Sequence, residues 1–124
     1  MQNLEGKRIL VVEDEPLIGI MLTDILESMG CVVLGPAYDV RQAMNYLDVD
    51  RIDCAVLDVN LGAGQTSAPI ADALEERKIP FMFATGYGED ALRMKDRERY
   101  RVDKPYDDDQ VYLALKKCIA SYVR

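Results

Sequence analysis

The chain has 124 residues and no histidine. Without histidine there is no Ser-His or Cys-His nucleophile pair, zinc loses its commonest nitrogen ligand, and the chain cannot itself carry a phosphohistidine. Cysteine is scarce, and Cys31, Cys54 and Cys118 are odd in number and far apart. No metal-ligand spacing links them, and their apolar surroundings mark them as small buried hydrophobes. No apolar stretch approaches the length of a membrane span. The first residues, Met1-Gln2-Asn3-Leu4-Glu5, have neither the basic patch nor the apolar core of a signal peptide. A cytoplasmic location without a membrane partner is therefore expected. Positive charge is outweighed, with 15 Lys and Arg against 22 Asp and Glu, a net charge of -7. Nucleic-acid affinity depends on neutralising phosphates, so no nucleic-acid partner is expected. A divalent cation or a basic protein partner suits this charge.

What is present is enough for a core, with 49% hydrophobic residues in a length that fits one domain over residues 1–124. Short apolar runs predict strands near 7–12, 31–35, 53–58, 80–85 and 100–103. They are apolar throughout rather than alternating, as in a parallel sheet covered on both faces. Helical periodicity predicts helices near 16–29, 39–49, 67–78, 89–97 and 107–123. Pro16 suits the first turn of the first and Gly30 its end. Asp39 is placed to cap the second, and Thr66 or Ser67 the third. The last has an apolar face of Val111, Leu115, Cys118, Ile119 and Tyr122, with Asp107, Asp108 and Asp109 at its positive end. The fourth offers only Ala91, Leu92 and Met94 to a core, and is expected to be weak or partly disordered. The run Gly62-Ala63-Gly64-Gln65-Thr66-Ser67 has no lysine before Thr66, so it reads as a flexible loop into the third helix rather than a phosphate loop. Alternating βαβ units imply an α/β, doubly wound, flavodoxin-like (βα)5 domain with strand order 2-1-3-4-5.

In that order the ends of strands 1 and 3 are neighbours, about 4.8 Å apart. Strand 1 runs into Glu13-Asp14 and strand 3 ends at Asp58; strand 4 runs into Thr85 and strand 5 into Lys104-Pro105. A carboxylate at the mouth of a buried strand is costly unless it is paired or used. Crowded carboxylates raise one another's pKa values. Mg²⁺, a hard cation that takes oxygen ligands and leaves room for a phosphoryl group, relieves them. Lys104 and Thr85 add an amine and a hydroxyl, which together would surround phosphoryl oxygens. Asp58 is then the candidate nucleophile, forming an aspartyl phosphate.

Four motifs in order, Val11-Val12-Glu13-Asp14-Glu15-Pro16, Val56-Leu57-Asp58-Val59-Asn60-Leu61, Thr85-Gly86 and Lys104-Pro105, resemble those of two-component response regulator receiver domains. The resemblance covers nearly the whole chain. It implies that Asp58 accepts a phosphoryl group from a sensor histidine kinase or a histidine phosphotransfer protein. It also implies that Asp14 and Asp58 bind Mg²⁺ directly, Glu13 through water, and Asn60 through its main-chain carbonyl. Lys104 and Thr85 would each hold a phosphoryl oxygen, and the Lys104–Pro105 bond would be cis. Phe83-Ala84-Thr85-Gly86-Tyr87 is similar to the "FAT GUY" receivers, linked to kinases of the HWE and related types. Such a receiver catalyses its own phosphorylation and dephosphorylation, and without an output domain it would act through a downstream protein partner.

Two other functions compete. A Mg²⁺-dependent aspartyl-nucleophile phosphohydrolase would carry a second acid where Asn60 stands. A degenerate receiver that only binds partners would not need the full acidic set with Thr85 and Lys104. One departure from the family concerns signalling. Many receivers have an aromatic three residues before the lysine, where this chain has Arg101. The expectation is that the fourth helix and Gly86-Tyr87-Gly88 carry the switch instead. The alternating charges from Arg93 to Arg101 read as a solvated face, with partner docking as the second reading.

Overall fold

A computed structural model describes residues 4–85, 93, 101–104 and 106–121. Its elements in order are β1 (Arg8–Val12), α1 (Pro16–Ser28), β2 (Val32–Ala37), α2 (Val40–Val49), β3 (Cys54–Asp58), β4 (Asn60–Gly62), β5 (Gln65–Thr66), α3 (Ala68–Glu76), β6 (Phe81–Thr85), β7 (Arg101–Asp103) and α4 (Asp108–Ser121). The main sheet is parallel with order β2-β1-β3-β6-β7, which is the expected 2-1-3-4-5 arrangement once the short β4 and β5 are set aside. Apart from Arg93, the expected fourth helix lies outside the described residues, as do the Gly86-Tyr87-Gly88 switch and the Lys104–Pro105 bond. A cis peptide bond does join Gly35 to Pro36.

The strands are apolar throughout because each parity meets its own helical layer. Leu10, Val12, Ala55, Leu57, Phe81 and Phe83 pack with Ala43 and Leu47 of α2 and Ile70, Ala71 and Leu74 of α3. Ile9, Val11, Cys54, Val56, Met82, Ala84 and Val102 pack with Leu22 and Leu26 of α1 and Val111, Leu115 and Cys118 of α4. Each large aliphatic or aromatic side chain removed from water this way stabilises by about 1.5–3 kcal/mol. All three cysteines are free and buried, as their setting in the sequence implied.

The helix ends follow local chemistry. Asp39 caps α2 by accepting a hydrogen bond from Gln42 N at 2.8 Å. After α1, Gly30 N donates to Glu27 O at 3.0 Å and Cys31 N to Leu26 O at 3.1 Å, with Gly30 at φ +89°. This is a Schellman ending, which glycine adopts without steric cost. Ser67 precedes α3 but its side chain makes no capping bond; the Thr66 hydroxyl accepts from Ala68 N at 3.3 Å instead. A β-carbon on Gly19 would lie 2.9 Å from Pro36 Cγ, so glycine lets α1 close onto β2 beside Glu13.

One expectation changes. The segment read as a flexible loop after β3 is an antiparallel hairpin, β4 with β5, pairing Asn60 with Thr66 and Gly62 with Gln65. Gly62, Ala63 and Gly64 all have positive φ, which folds the turn tightly enough for two very short strands to pair. Leu61 is buried and packs into the α2–α3 side of the core, which ties the hairpin down.

Candidate functional site

The site lies at the carboxyl ends of β1, β3, β6 and β7. Val12 is paired with Leu57, so Glu13 and Asp58 each stand one residue past a paired position on adjacent strands. Carboxylate oxygens of Glu13, Asp14 and Asp58 all lie within 4.8 Å of one another. Lys104 follows β7, and its amide donates to Thr85 O at 3.0 Å, continuing the β6–β7 ladder. Its Nζ reaches 2.8 Å from Glu13 Oε1, 3.5 Å from Asp58 Oδ2 and 3.8 Å from Glu15 Oε1. Among the described residues, that ammonium faces an acidic cluster carrying more negative charge than it can balance.

Burial sharpens the imbalance. Glu13 is 1% exposed and Asp58 8%, while Lys104 and Asp14 are partly buried. Glu15 N donates to Glu13 Oε2 at 3.2 Å, so the backbone at the start of α1 satisfies one oxygen of this carboxylate. Its other oxygen, Oε1, is held by the Lys104 ammonium. Burial, then the charge of Glu13, raises the Asp58 pKa from 3.8 to about 7, against the pull of Lys104. Burial disfavours the Lys104 ammonium, but the carboxylates of Glu13 and Asp58 outweigh it and raise the pKa.

This donor set fits a hard divalent cation. Three clustered carboxylates supply only oxygen ligands, and among the described residues one ammonium, that of Lys104, faces them. Mg²⁺ takes such ligands and retains waters of its own.

The other candidate residues fall at the same end. Thr85 is buried and ends β6, one residue beyond Ala84, which pairs with Asp58. Asn60 opens β4, two residues past Asp58, and its side chain is exposed. Arg101 is half-buried on β7, opposite Phe83. Two residues were not assigned to the pocket from the sequence. Glu15 contributes both its amide and a carboxylate to the pocket. Tyr106 has a buried hydroxyl without a hydrogen-bond partner among the described residues. Burial, followed by the charges of Glu13 and Asp58, pushes its pKa up. Its place two residues after Lys104 was the available signal, but no motif marks it.

Among the described residues no helix is long and apolar enough to cross a membrane. A family model described as "Response regulator receiver domain" matches residues 9–116. The regulatory protein VanRc of Enterococcus gallinarum is 30% identical over 123 residues, covering 96% of this chain and 52% of that protein. The chain spans about half the length of the curated relatives it matches. The solution structure of SdrG from Sphingomonas melonis Fr1 is 42% identical with a TM-score of 0.83, covering 92% of this chain and 97% of that one. A BeF3-activated conformation of SdrG, given as from Pseudomonas melonis Fr1, matches with 42% identity and a TM-score of 0.80, covering 93% of this chain and 98% of that one. With a parallel five-stranded sheet, an acidic cluster at its carboxyl end and a family match over most of its length, the chain belongs to the response regulator receiver domains.

Proposed function

We propose that this receiver is a Mg²⁺-dependent phosphorylation switch with Asp58 as phosphoacceptor. The observation that carries the proposal is Asp58 itself, a nearly buried carboxylate clustered with Glu13 and Asp14 and facing the Lys104 ammonium. Glu13, Asp14, Asp58 and the carbonyl of Asn60 would hold the cation. Bound there, Mg²⁺ would offset the excess negative charge, favour the ionised Asp58 and neutralise phosphoryl oxygens. An Asp58 oxygen forms a bond to phosphorus as the P–N bond of a phosphohistidine donor breaks, and the imidazole leaves with the bonding pair. Lys104 leaves its carboxylate partners for a phosphoryl oxygen, and Thr85 donates its hydroxyl to another. Water later attacks the acyl phosphate, which returns Asp58 and releases phosphate.

The donor is a histidine kinase or a histidine phosphotransfer protein. The run Phe83-Ala84-Thr85-Gly86-Tyr87 supports a kinase of the HWE type. Docking beside Asp58 is supported by α1, which starts at the pocket and exposes Leu17, Ile20 and Met21. Large apolar side chains at helical spacing on an exposed face suit a protein surface. The output is a protein contact, in keeping with a net charge of -7.

Incubation with a small phosphodonor and Mg²⁺, followed by intact-mass measurement, tests the reading. One hydroxylamine-labile phosphoryl per chain is expected, and none in Asp58→Asn. BeF3, which activates SdrG, provides a second test through chemical-shift changes around the pocket. No label on the unaltered protein would overturn the proposal.

A further inference from the structure

The β4–β5 hairpin approaches the pocket through Gly62. A β-carbon on Gly62 would lie 3.1 Å from Asp14 Oδ2, closer than carbon and oxygen ordinarily pack. Gly64, two residues on, has nearly the same φ, +77° against +78°, yet a β-carbon there meets nothing within 4 Å. The two glycines share one conformational requirement, and only Gly62 has a neighbour to spare.

That neighbour is a carboxylate with a flexible side chain. Free of ligands, Asp14 can turn by the few tenths of an ångström that an added methyl would demand. A carboxylate engaged with a cation loses that freedom. The hairpin is anchored at its base and on either side of Gly62. Leu61, beside Gly62, is 5% exposed and packed in the core. Ser67 N donates to Val59 O at 2.9 Å across the base of the hairpin, and Gln65 Oε1 accepts from Val40 N at 3.4 Å at the start of α2. The Gly62–Gln65 pairing fixes the residue within the hairpin as well.

We infer that Gly62 is a positioning residue of the pocket, whose missing side chain leaves Asp14 free to take the orientation that cation binding requires. This deepens the phosphorylation-switch reading and rests on its assignment of Asp14 as a Mg²⁺ ligand. A residue of this kind touches no phosphoryl group and acts only through the carboxylate it leaves unobstructed. Disturbing a group that orients a metal ligand typically weakens affinity by roughly 10–100-fold.

Gly62→Ala and Gly64→Ala provide a matched pair, since both put a β-carbon at positive φ. Each is compared with the unaltered chain by thermal unfolding without metal and by an amide chemical-shift titration with MgCl2. Both variants should lose the same thermal stability when metal-free. Gly64→Ala should titrate as the unaltered chain does, and Gly62→Ala should need roughly 10–100-fold more Mg²⁺. Equal Mg²⁺ affinity in the two variants would overturn the inference while leaving the metal site intact. So would a metal-free Gly62→Ala much less stable than Gly64→Ala, because the clash would then be structural rather than specific to cation binding. If the unaltered chain shows no titration, both the inference and the proposed metal site fail together.

Discussion

The two ends of the same sheet handle charge in opposite ways. At the amino end, acids are matched to arginines. Arg8 pairs with Asp50 at 3.3 Å, Arg51 with Asp53 at 3.2 Å, and Asp53 also accepts the Arg8 amide at 2.8 Å. At the carboxyl end, Glu13, Asp14 and Asp58 crowd together with Lys104 as the nearest cation found among the described residues. The first arrangement closes its charges locally and in partial solvent, where such pairs contribute little. The second leaves charge unbalanced under cover, which folding alone would not favour. The difference teaches where to look for function, because crowded, perturbed titratable groups cluster at functional sites.

The largest expected effect breaks that contrast outright. Asp58→Asn should abolish phosphoryl labelling, read by mass, whereas Arg8→Ala should leave labelling unchanged. Labelling that survives in Asp58→Asn would move the phosphoacceptor elsewhere.

Lys104→Ala comes next. It strips Glu13, 1% exposed, of its cationic partner at 2.8 Å. A buried charge left alone costs about 3 kcal/mol, measurable by urea unfolding at neutral pH without metal. Saturating Mg²⁺ should recover part of the loss. A variant as stable as the parent would mean that Glu13 takes up a proton or finds another partner.

The third prediction concerns pH. The Asp58 pKa rises from 3.8 to about 7 on folding, chiefly through burial and then through Glu13. The folded chain therefore holds this proton more tightly than the unfolded chain does. The resulting stabilisation is complete below about pH 4 and is lost as pH climbs through about 7. With solvent screening the loss is on the order of 1–2 kcal/mol. Metal-free Asp58→Asn should lack this component of the pH dependence, and Arg8→Ala should retain it. Identical profiles for Asp58→Asn and the parent would rule out Asp58 as the titrating group.

The smallest effect lies at the quiet end. Arg8→Ala should cost about 1 kcal/mol or less, because the Arg8 and Asp50 side chains remain 26% and 32% exposed. A much larger loss would place a supporting role at this end too, one that the Arg8 Nε bond to Arg51 O at 2.7 Å would supply.

Much of this was legible in the chain. Ile9 to Val12, Ala55 to Leu57 and Phe81 to Ala84 are unbroken apolar runs, and unbroken runs are what a doubly covered parallel sheet requires. Asp39 and Gly30 announced helix boundaries because capping is local chemistry. The β4–β5 hairpin was illegible for the opposite reason. Gly62, Ala63 and Gly64 carry no apolar pattern, and the pairing depends on the buried Leu61 and on backbone angles that composition alone does not specify. Tyr106 reads in the sequence as one of several tyrosines on a docking face, because nothing in its neighbours says that its hydroxyl lies under cover near two carboxylates.

By itself, then, the sequence determined the alternation of strands and helices and the placing of acids, a hydroxyl and an amine at strand ends. Those features depend on residue type and short-range period. Only the tertiary structure decided that Lys104 lies 2.8 Å from Glu13, that burial beside Glu13 pushes the Asp58 pKa up, and that Gly62 sits against Asp14. Coulomb attraction, desolvation and steric contact depend on distance and cover in space, and neither can be measured along the chain.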